Sequence, residues 1–536
     1  MSLPLSPALI KDCNAICQTA DVRKMLQCGL ACQSDGLFED AGGCYRHVLR
    51  LKPKHFDALH MLGVVALQNQ RLDEAVMLIA DALTQNPNVA LAHRNFALVL
   101  RNVGRQWEAI DHYERAVALE PAYSDTYLHL AELLVEVGQS ERALSWCDRG
   151  MDYHAQNPLL HLARAIALRA RERLDEALKS CETAIALQPT CAEAWDKRGA
   201  ALQELGRPRE ALESYSAAIR LRPDFSHAYH HASLVLLQIG KFSRGWELFE
   251  YREQARRDFG RPRWHPSTHV GTVRVLLHSE QGLGDTLQFC RYAPLVAELG
   301  AQVTLMVQQP LLGVMKTLDS RITVIADTFT PPPSDLQCPL MSLPHAFQTN
   351  ATSIPTKIPY LAAEPQRVMR WRERLGQTGF KVGVCWHGSG VPAAVGKPFP
   401  LAMLAPIAQL TGVRLISLQK GLGNEQLRQL PRDMRIEELG PEFDAGDTGF
   451  LDTAAVMECL DLIITCDTSV VHLAGALGRP TWMVLKHVAD WRWLTDRDDT
   501  LWYPSVRLFR QPSHRDWQNV FDRMRLALQD RIAAEH

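Results

Sequence analysis

The amino-acid sequence predicts a helical repeat array followed by two α/β domains of the doubly wound kind. Three observations carry this expectation: prolines return on a fixed beat through the first half, strand and helix patterns alternate twice through the second, and the stretch Asp461 to Pro480, DLIITCDTSVVHLAGALGRP, reads as a buried strand, a sharp turn and a helix. At 536 residues the chain is too long for one hydrophobic core.

The repeat comes first. Pro53, Pro87, Pro121, Pro189 and Pro223 are separated by 34, 34, 68 and 34 residues, with Ala155 at the missing beat and Pro158 beside it. A period of 34 is the signature of tetratricopeptide repeats, each a helix-turn-helix that buries its apolar face only against its neighbours. The same beat holds Ala41, Ala75, Ala109, Ala143, Ala177 and Ala211 in the second helix, with Tyr45, Tyr113 and Tyr215 four residues later. Gly29, Gly63 and Gly199 fall where paired helices approach closely. A degenerate seventh unit runs from Ser226 to Phe259, and the expected right-handed solenoid offers a concave groove for a peptide or protein. Cys28, Cys32, Cys44 and His47 have a spacing loosely like that of zinc ligands, but Cys28 and Cys32 occupy core positions of the repeat and read as small buried hydrophobes. From Trp246 the sequence WELFEYREQARRDFGRPRWHP reads as a last helix and a linker.

The second half alternates. Val273 to Leu277, Gln302 to Val307 and Ile322 to Ile325 are candidate strands, with helices from about Asp285 to Leu299 and Leu311 to Leu318, and a proline-rich stretch, Pro331 to Pro344, reads as loops. A second unit has candidate strands at Val382 to Trp386, Val413 to Leu418, Arg435 to Leu439, Leu462 to Thr465 and Thr481 to Leu485, with helices at Leu401 to Leu410 and Leu451 to Cys459. This is the pattern of open parallel sheets, whose ligands bind outside the carboxyl ends of the strands. The expected organisation is therefore an N-terminal extension (1–21), an α-solenoid (22–259), and two Rossmann-like domains (260–375 and 376–536) facing one cleft.

Composition narrows the classes. A net charge of −2 gives no reason to expect nucleic acid or an anionic membrane as partner. The start lacks a basic segment followed by an apolar core, and no uncharged apolar run approaches the length of a membrane span. Thirteen scattered cysteines fit a reducing compartment, so a cytoplasmic location is expected.

Candidate chemistry gathers at strand ends. Asp467, Thr468 and Ser469 form the turn into a helix whose free N–H groups and hydroxyls suit a phosphate, and His472 faces the same mouth. HSEQGLGDTLQF places Gly282 and Gly284 around the turn after the first strand but lacks the third glycine of a dinucleotide fingerprint. Trp386, His387 and Gly388 end another strand in a flexible loop, and Ser417, Gln419 and Lys420 end the next, where a lysine can neutralise a diphosphate leaving group. The D-x-D string at Asp496 to Asp498 looks like a surface turn, so no catalytic metal is expected. Trp491, Trp493, Trp502 and Tyr503 with Arg492 and Arg497 read either as an aromatic core with satisfied arginines or as a wall of the donor pocket.

The strings EQGLGDTLQFCRYAPL, CPLMSLP, VGVCWHG, SLQKG, DTAAVMECLDLIITCDTSVVHLAGALGRP and WYPSVRLFRQ together resemble bacterial tetratricopeptide-repeat proteins with a C-terminal heptosyltransferase-like, family 9-like glycosyltransferase domain. Some relatives of this layout are implicated in flagellin glycosylation. The resemblance implies a metal-independent GT-B enzyme with a nucleotide-sugar co-substrate and no other cofactor, Asp285 as general base, Gln281, Gly282 and Gly284 on the acceptor side, and the remaining candidates on the donor side. Where the family has a polar loop with Asp and Arg-Ser, this chain has VPAAVGKPFP, Val391 to Pro400, a departure at the donor site. Transfer to Ser or Thr hydroxyls of a protein held by the array is the first expectation. Transfer to an envelope glycan such as lipopolysaccharide, and a non-enzymatic scaffold with a degenerate domain, are the alternatives.

Overall fold

A computed structural model describes residues 21–252, 257–267, 273–328, 330–388, 396–446 and 449–535. They form two compact units, one ending at Ala201 and one starting at Leu202. Among the described residues no helix is long and apolar enough to cross a membrane.

The first unit is made of paired helices, from Val22–Ser34 with Phe38–Leu51 to Pro158–Ala170 with Leu174–Leu187, plus most of Ala192–Glu204. Within each pair the first helix ends in a left-handed residue on the 34-residue beat: Gly36, Gln70, Gly104, Gly138 and Glu172, all at φ between 57° and 80°. Glycine takes this conformation without strain, so it holds three of the five turns. Close packing fixes other glycines. A Cβ on Gly29 would lie 2.5 Å from the Tyr45 ring, and one on Gly63 2.5 Å from Ile79 Cγ1. The irregular fourth repeat lengthens its second helix, Ser140–His154, and restarts at Pro158 with Asn157 as cap, its side chain accepting from Leu159 N–H at 2.9 Å. Cys28, Cys32 and Cys44 are buried in the core of the first repeat.

The second unit begins with the end of the repeats, Pro208–Leu221, Ser226–Gln238 and Phe242–Phe249. Two all-parallel sheets follow. The first has β1 (Arg274–His278), β2 (Gln302–Val307), β3 (Thr323–Ala326) and β4 (Leu336–Pro339) in the order β3-β2-β1-β4. The second has β5 (Phe380–Cys385), β6 (Val413–Ser417), β7 (Ile436–Glu437), β8 (Leu462–Thr465), β9 (Thr481–Leu485) and β10 (Val506–Arg510) in the order β10-β9-β8-β5-β6-β7. The chain reverses direction across each sheet between β1 and β4 and between β5 and β8. These are the topological switch points, where the carboxyl ends of the strands leave a crevice.

The elements depart from expectation in explicable ways. The proline-rich stretch is not all loop: Leu336–Pro339 is β4, paired to β1, with Pro331 to Pro333 before it and Pro339 and Pro344 at its end and beyond. The helix expected from Asp285 to Leu299 is three pieces, Leu283–Phe289, a tight turn at Cys290–Tyr292 and Ala293–Glu298, because Pro294 has no N–H to donate back. Pro406 splits Leu401–Leu404 from Ala405–Ala408 in the same way. The strand expected at Arg435 to Leu439 shrinks to Ile436–Glu437, at the sheet edge. Helix Pro365–Leu375, strand β10 and helix Trp517–Glu535 are additions to the elements expected from the sequence.

Candidate functional site

The candidate residues converge because both switch points open toward each other. Helix Leu283–Phe289 leaves the end of β1, helix Ser469–Ala476 leaves the end of β8, and the two touch at Gly284, where a Cβ would stand 2.7 Å from His472 Cδ2. Only a residue without a side chain allows that approach, so Gly284 and His472, expected on opposite sides of a cleft, meet directly.

Asp285 closes the turn before its helix, accepting from Gly282 N–H at 2.9 Å with one carboxylate oxygen. The other oxygen is ion-paired with Arg492 of the second domain. Arg492 also donates to Asp490 Oδ1 at 2.9 Å and to Gln288 Oε1 at 2.7 Å, and lies over the Trp491 ring at 4.3 Å. Burial pushes the Asp285 carboxyl above its usual range while Arg492 pulls it down. For Arg492 burial opposes the charge, but Asp490 and Asp285 outweigh it. Gln281 carries its carbonyl at the same turn, accepting from Gln308 Nε2 at 2.8 Å.

His472 is 5 % exposed, stacked on Trp493 with ring centres 5.6 Å apart, and shares a hydrogen bond with the Tyr503 hydroxyl at 2.9 Å. Burial, with Arg492 nearby, holds its pKa well below the usual histidine range, so the ring is neutral. Thr468 caps the helix, its hydroxyl accepting from Val470 N–H at 3.2 Å, and Ser469 is the first helical residue. Asp467 pairs with Lys397 at 2.7 Å. Burial works against the Lys397 charge, but Asp467 and Asp490 outweigh it and hold the ammonium above its ordinary range.

The loops after β5 and β6 are tied by one amide. Gln419 Oε1 accepts from the N–H groups of Trp386 (3.1 Å) and His387 (2.9 Å), and its Nε2 donates to the carbonyls of His387 (3.0 Å) and Leu422 (2.7 Å). Trp386 is fully buried with its indole N–H on Gly423 O at 3.0 Å, and Ser417 is buried at the end of β6. These three shape the loops from beneath. Gly388 approaches Thr468, His387 is half-buried with Nδ1 on Gly388 O at 2.7 Å, and Lys420 is exposed and donates to Asp444 O.

Sequence reasoning misses Lys397, Asp490 and Gln288, and leaves Arg492 between two roles. Lys397 lies in the segment read as a departure from a family pattern; its signal is a lone cation in a loop bounded by prolines. Most of that loop, Ser389 to Val395, lies outside the described residues.

Chemically, the arrangement sets a carboxyl group paired with Arg492, a neutral imidazole, and two cations, the buried Arg492 and the partly buried Lys397, around the start of a helix at a switch point. Such a place suits a phosphorylated ligand, with the helix N-terminus and cations meeting its charge.

Comparison with known proteins agrees in kind. Residues 397–484 match glycosyltransferase family 9 (heptosyltransferase), and residues 33–90, 108–167 and 192–225 match tetratricopeptide repeats. The chain is a tetratricopeptide-repeat protein with a family 9 glycosyltransferase domain at its C-terminal end. Among individual proteins it is similar to Protein FlbA of Caulobacter vibrioides, 25% identical over 521 residues, 92% of this chain and 76% of that protein. It is 28% identical to human Tetratricopeptide repeat protein 7A over 122 residues, 23% of this chain and 14% of that one. A tetratricopeptide repeat protein structure from Parabacteroides merdae aligns at a TM-score of 0.40 and 15% identity, over 44% of this chain and 94% of its own.

Proposed function

We propose that the protein transfers a sugar from a nucleotide-sugar donor to a Ser or Thr hydroxyl of a protein acceptor held by the repeat array, in a GT-B cleft and without a metal. The observation that carries this reading is the close approach of Gly284, next to Asp285, to Ser469 and His472 in a helix of the stretch that matches a glycosyltransferase family, with Asp285 paired to Arg492 just beyond that stretch. Asp285 is the general base. Each of its oxygens keeps a lone pair beyond its present partner, and Arg492 favours the ionised form that accepts the hydroxyl proton during attack on the anomeric carbon, work typically worth ~10²–10⁴-fold. The diphosphate leaves toward Lys397, the N-terminal turn of Ser469–Ala476 and the exposed Lys420. The repeats supply the reason for a protein acceptor, with flagellin one candidate.

A second reading rests on the same network. Every charge in it is already paired, as suits a scaffold with a quiescent domain.

A thermal-shift screen of UDP, GDP, ADP, CMP and their sugar conjugates separates the two, because a ligand bound only to the folded state raises the midpoint. A shift with one nucleotide, lost in Asp467→Ala, supports the transferase; no shift with any of them favours the scaffold. Removing residues 1–201 should spare donor hydrolysis and abolish transfer to a protein acceptor. Transfer that survives this deletion would show that the first unit does not read the acceptor, and inhibition by chelators would refute metal independence.

A further inference from the structure

The boundary between the compact units falls inside the repeat array, so the last repeats belong to the same unit as the transferase sheets. Their contacts there are specific. Gln238, buried at the end of helix Ser226–Gln238, donates from Nε2 to Ala489 O at 2.8 Å. Trp246, in helix Phe242–Phe249 and 1 % exposed, stands edge-on to Trp491 with ring centres 5.3 Å apart and edge-on to Phe289 at 6.3 Å. Ala489 and Trp491 flank Asp490, and Arg492 follows Trp491, its guanidinium 4.3 Å from the centre of the Trp491 ring and 5.9 Å from that of Phe289.

The same helix pair also holds the opposite wall. Arg252, three residues beyond it and fully buried, donates to Glu280 at 2.8 and 3.0 Å and to Ser342 Oγ at 2.8 Å, and Glu280 accepts from Met341 N–H at 3.1 Å. Glu280 stands two residues past β1 and leads into Gln281 and Gly282, the turn that orients Asp285.

We infer that the last repeat is a positioning element of the transferase site: Gln238 and Trp246 fix the Ala489 to Trp493 segment, and Arg492 carries that placement to the Asp285 carboxylate. The inference rests on Asp285 acting as base. Buried aromatic pairs and a buried amide–carbonyl bond give the segment one arrangement, and Arg492 spans from it to Asp285 and Gln288 across the two domains. An array that only tethered its acceptor would need none of these contacts. Besides Arg492, the charged groups facing Asp285 are Asp490 and Lys397, with the neutral His472 packed against the adjacent Gly284.

The test uses full-length protein with Trp246→Ala, the conservative Trp246→Phe, and Gln238→Ala as the milder variant should Trp246→Ala fold poorly. Hydrogen exchange of residues 489–493 is read beside donor affinity and the pH profile of kcat. Trp246→Ala should speed exchange in the segment, leave the donor Kd within about twofold and lower kcat at least about tenfold. The acid limb of the profile should move to higher pH, because a carboxylate that loses Arg492 gains a proton more readily. Gln238→Ala should act in the same direction more weakly, and Trp246→Phe should restore most of the exchange protection and rate. Unchanged exchange, or a lower kcat with an unmoved acid limb, overturns the inference. Failure of the base assignment is separately visible, as parental kcat in Asp285→Asn.

Discussion

Gly284→Ala tests the closest approach in the site. The added Cβ would stand 2.7 Å from His472 Cδ2 and 3.5 Å from Ser469 Cα. Carbon atoms rest about 3.5–4.0 Å apart, so the helices must part by roughly 1 Å. His472 cannot yield alone, since Trp493 covers one ring face and the Tyr503 hydroxyl holds Nδ1. Overpacking of this size costs about 1–3 kcal/mol. With ~2 °C of Tm per kcal/mol for a unit larger than 250 residues, the unit beginning at Leu202 should melt about 2–6 °C lower. The pH dependence has a definite sign. A histidine whose folded pKa is depressed contributes stability above its unfolded pKa of ~6.5 and loses it as pH falls toward the folded value. Parting the helices hydrates His472 and lets it protonate, so the variant's deficit should be smaller at pH 5 than at pH 8. Chemical denaturation at the two pH values measures this, and a variant within about 0.5 kcal/mol of the parent at both would refute the packing argument.

Three other predictions come from different parts of the chain. Arg252→Ala strands Glu280, whose side chain is fully buried, and should cost about 3–5 kcal/mol near neutral pH. Burial already raises the Glu280 pKa against the pull of Arg252, so without the cation the carboxyl protonates on mild acidification and the deficit shrinks; equal deficits at pH 5 and pH 8 would contradict this. Gln70→Gly relieves a left-handed residue at φ 58° and should stabilise the first unit by about 1 kcal/mol in a denaturant titration, a loss of stability being the contrary result. Lys397→Ala should weaken nucleotide-diphosphate binding at least about tenfold by calorimetry while Lys420→Ala weakens it less, because Lys397 is partly buried and held by Asp467 at the helix start whereas Lys420 is exposed; the reverse order would reassign the diphosphate.

Much of the molecule is legible in its amino-acid sequence. The 34-residue beat locates the repeats, down to Gly29 and Gly63, because each unit repeats one packing problem. The left-handed turn at Gly36, Gly104 and Gly138 stands on the same beat, although proline and alanine spacing does not point to it. β2, β8 and β9 are placed to the residue because each is a short apolar run between turn residues. β4 escapes because prolines surround it, and β10 because it follows an irregular aromatic segment.

The sequence by itself determined the two architectures and the strand-end loops that carry the candidate residues, since periodicity and turn chemistry are local properties. Tertiary structure alone decided how those loops meet. Asp285 and Arg492 lie 207 residues apart. Lys397 and Asp467 come from different loops, and Gln238 reaches Ala489 from 251 residues away. No spacing rule foretells such pairs. They follow from strand order, from the crossing of two helices at a residue with no side chain, and from the cost of leaving buried charges and amides without partners.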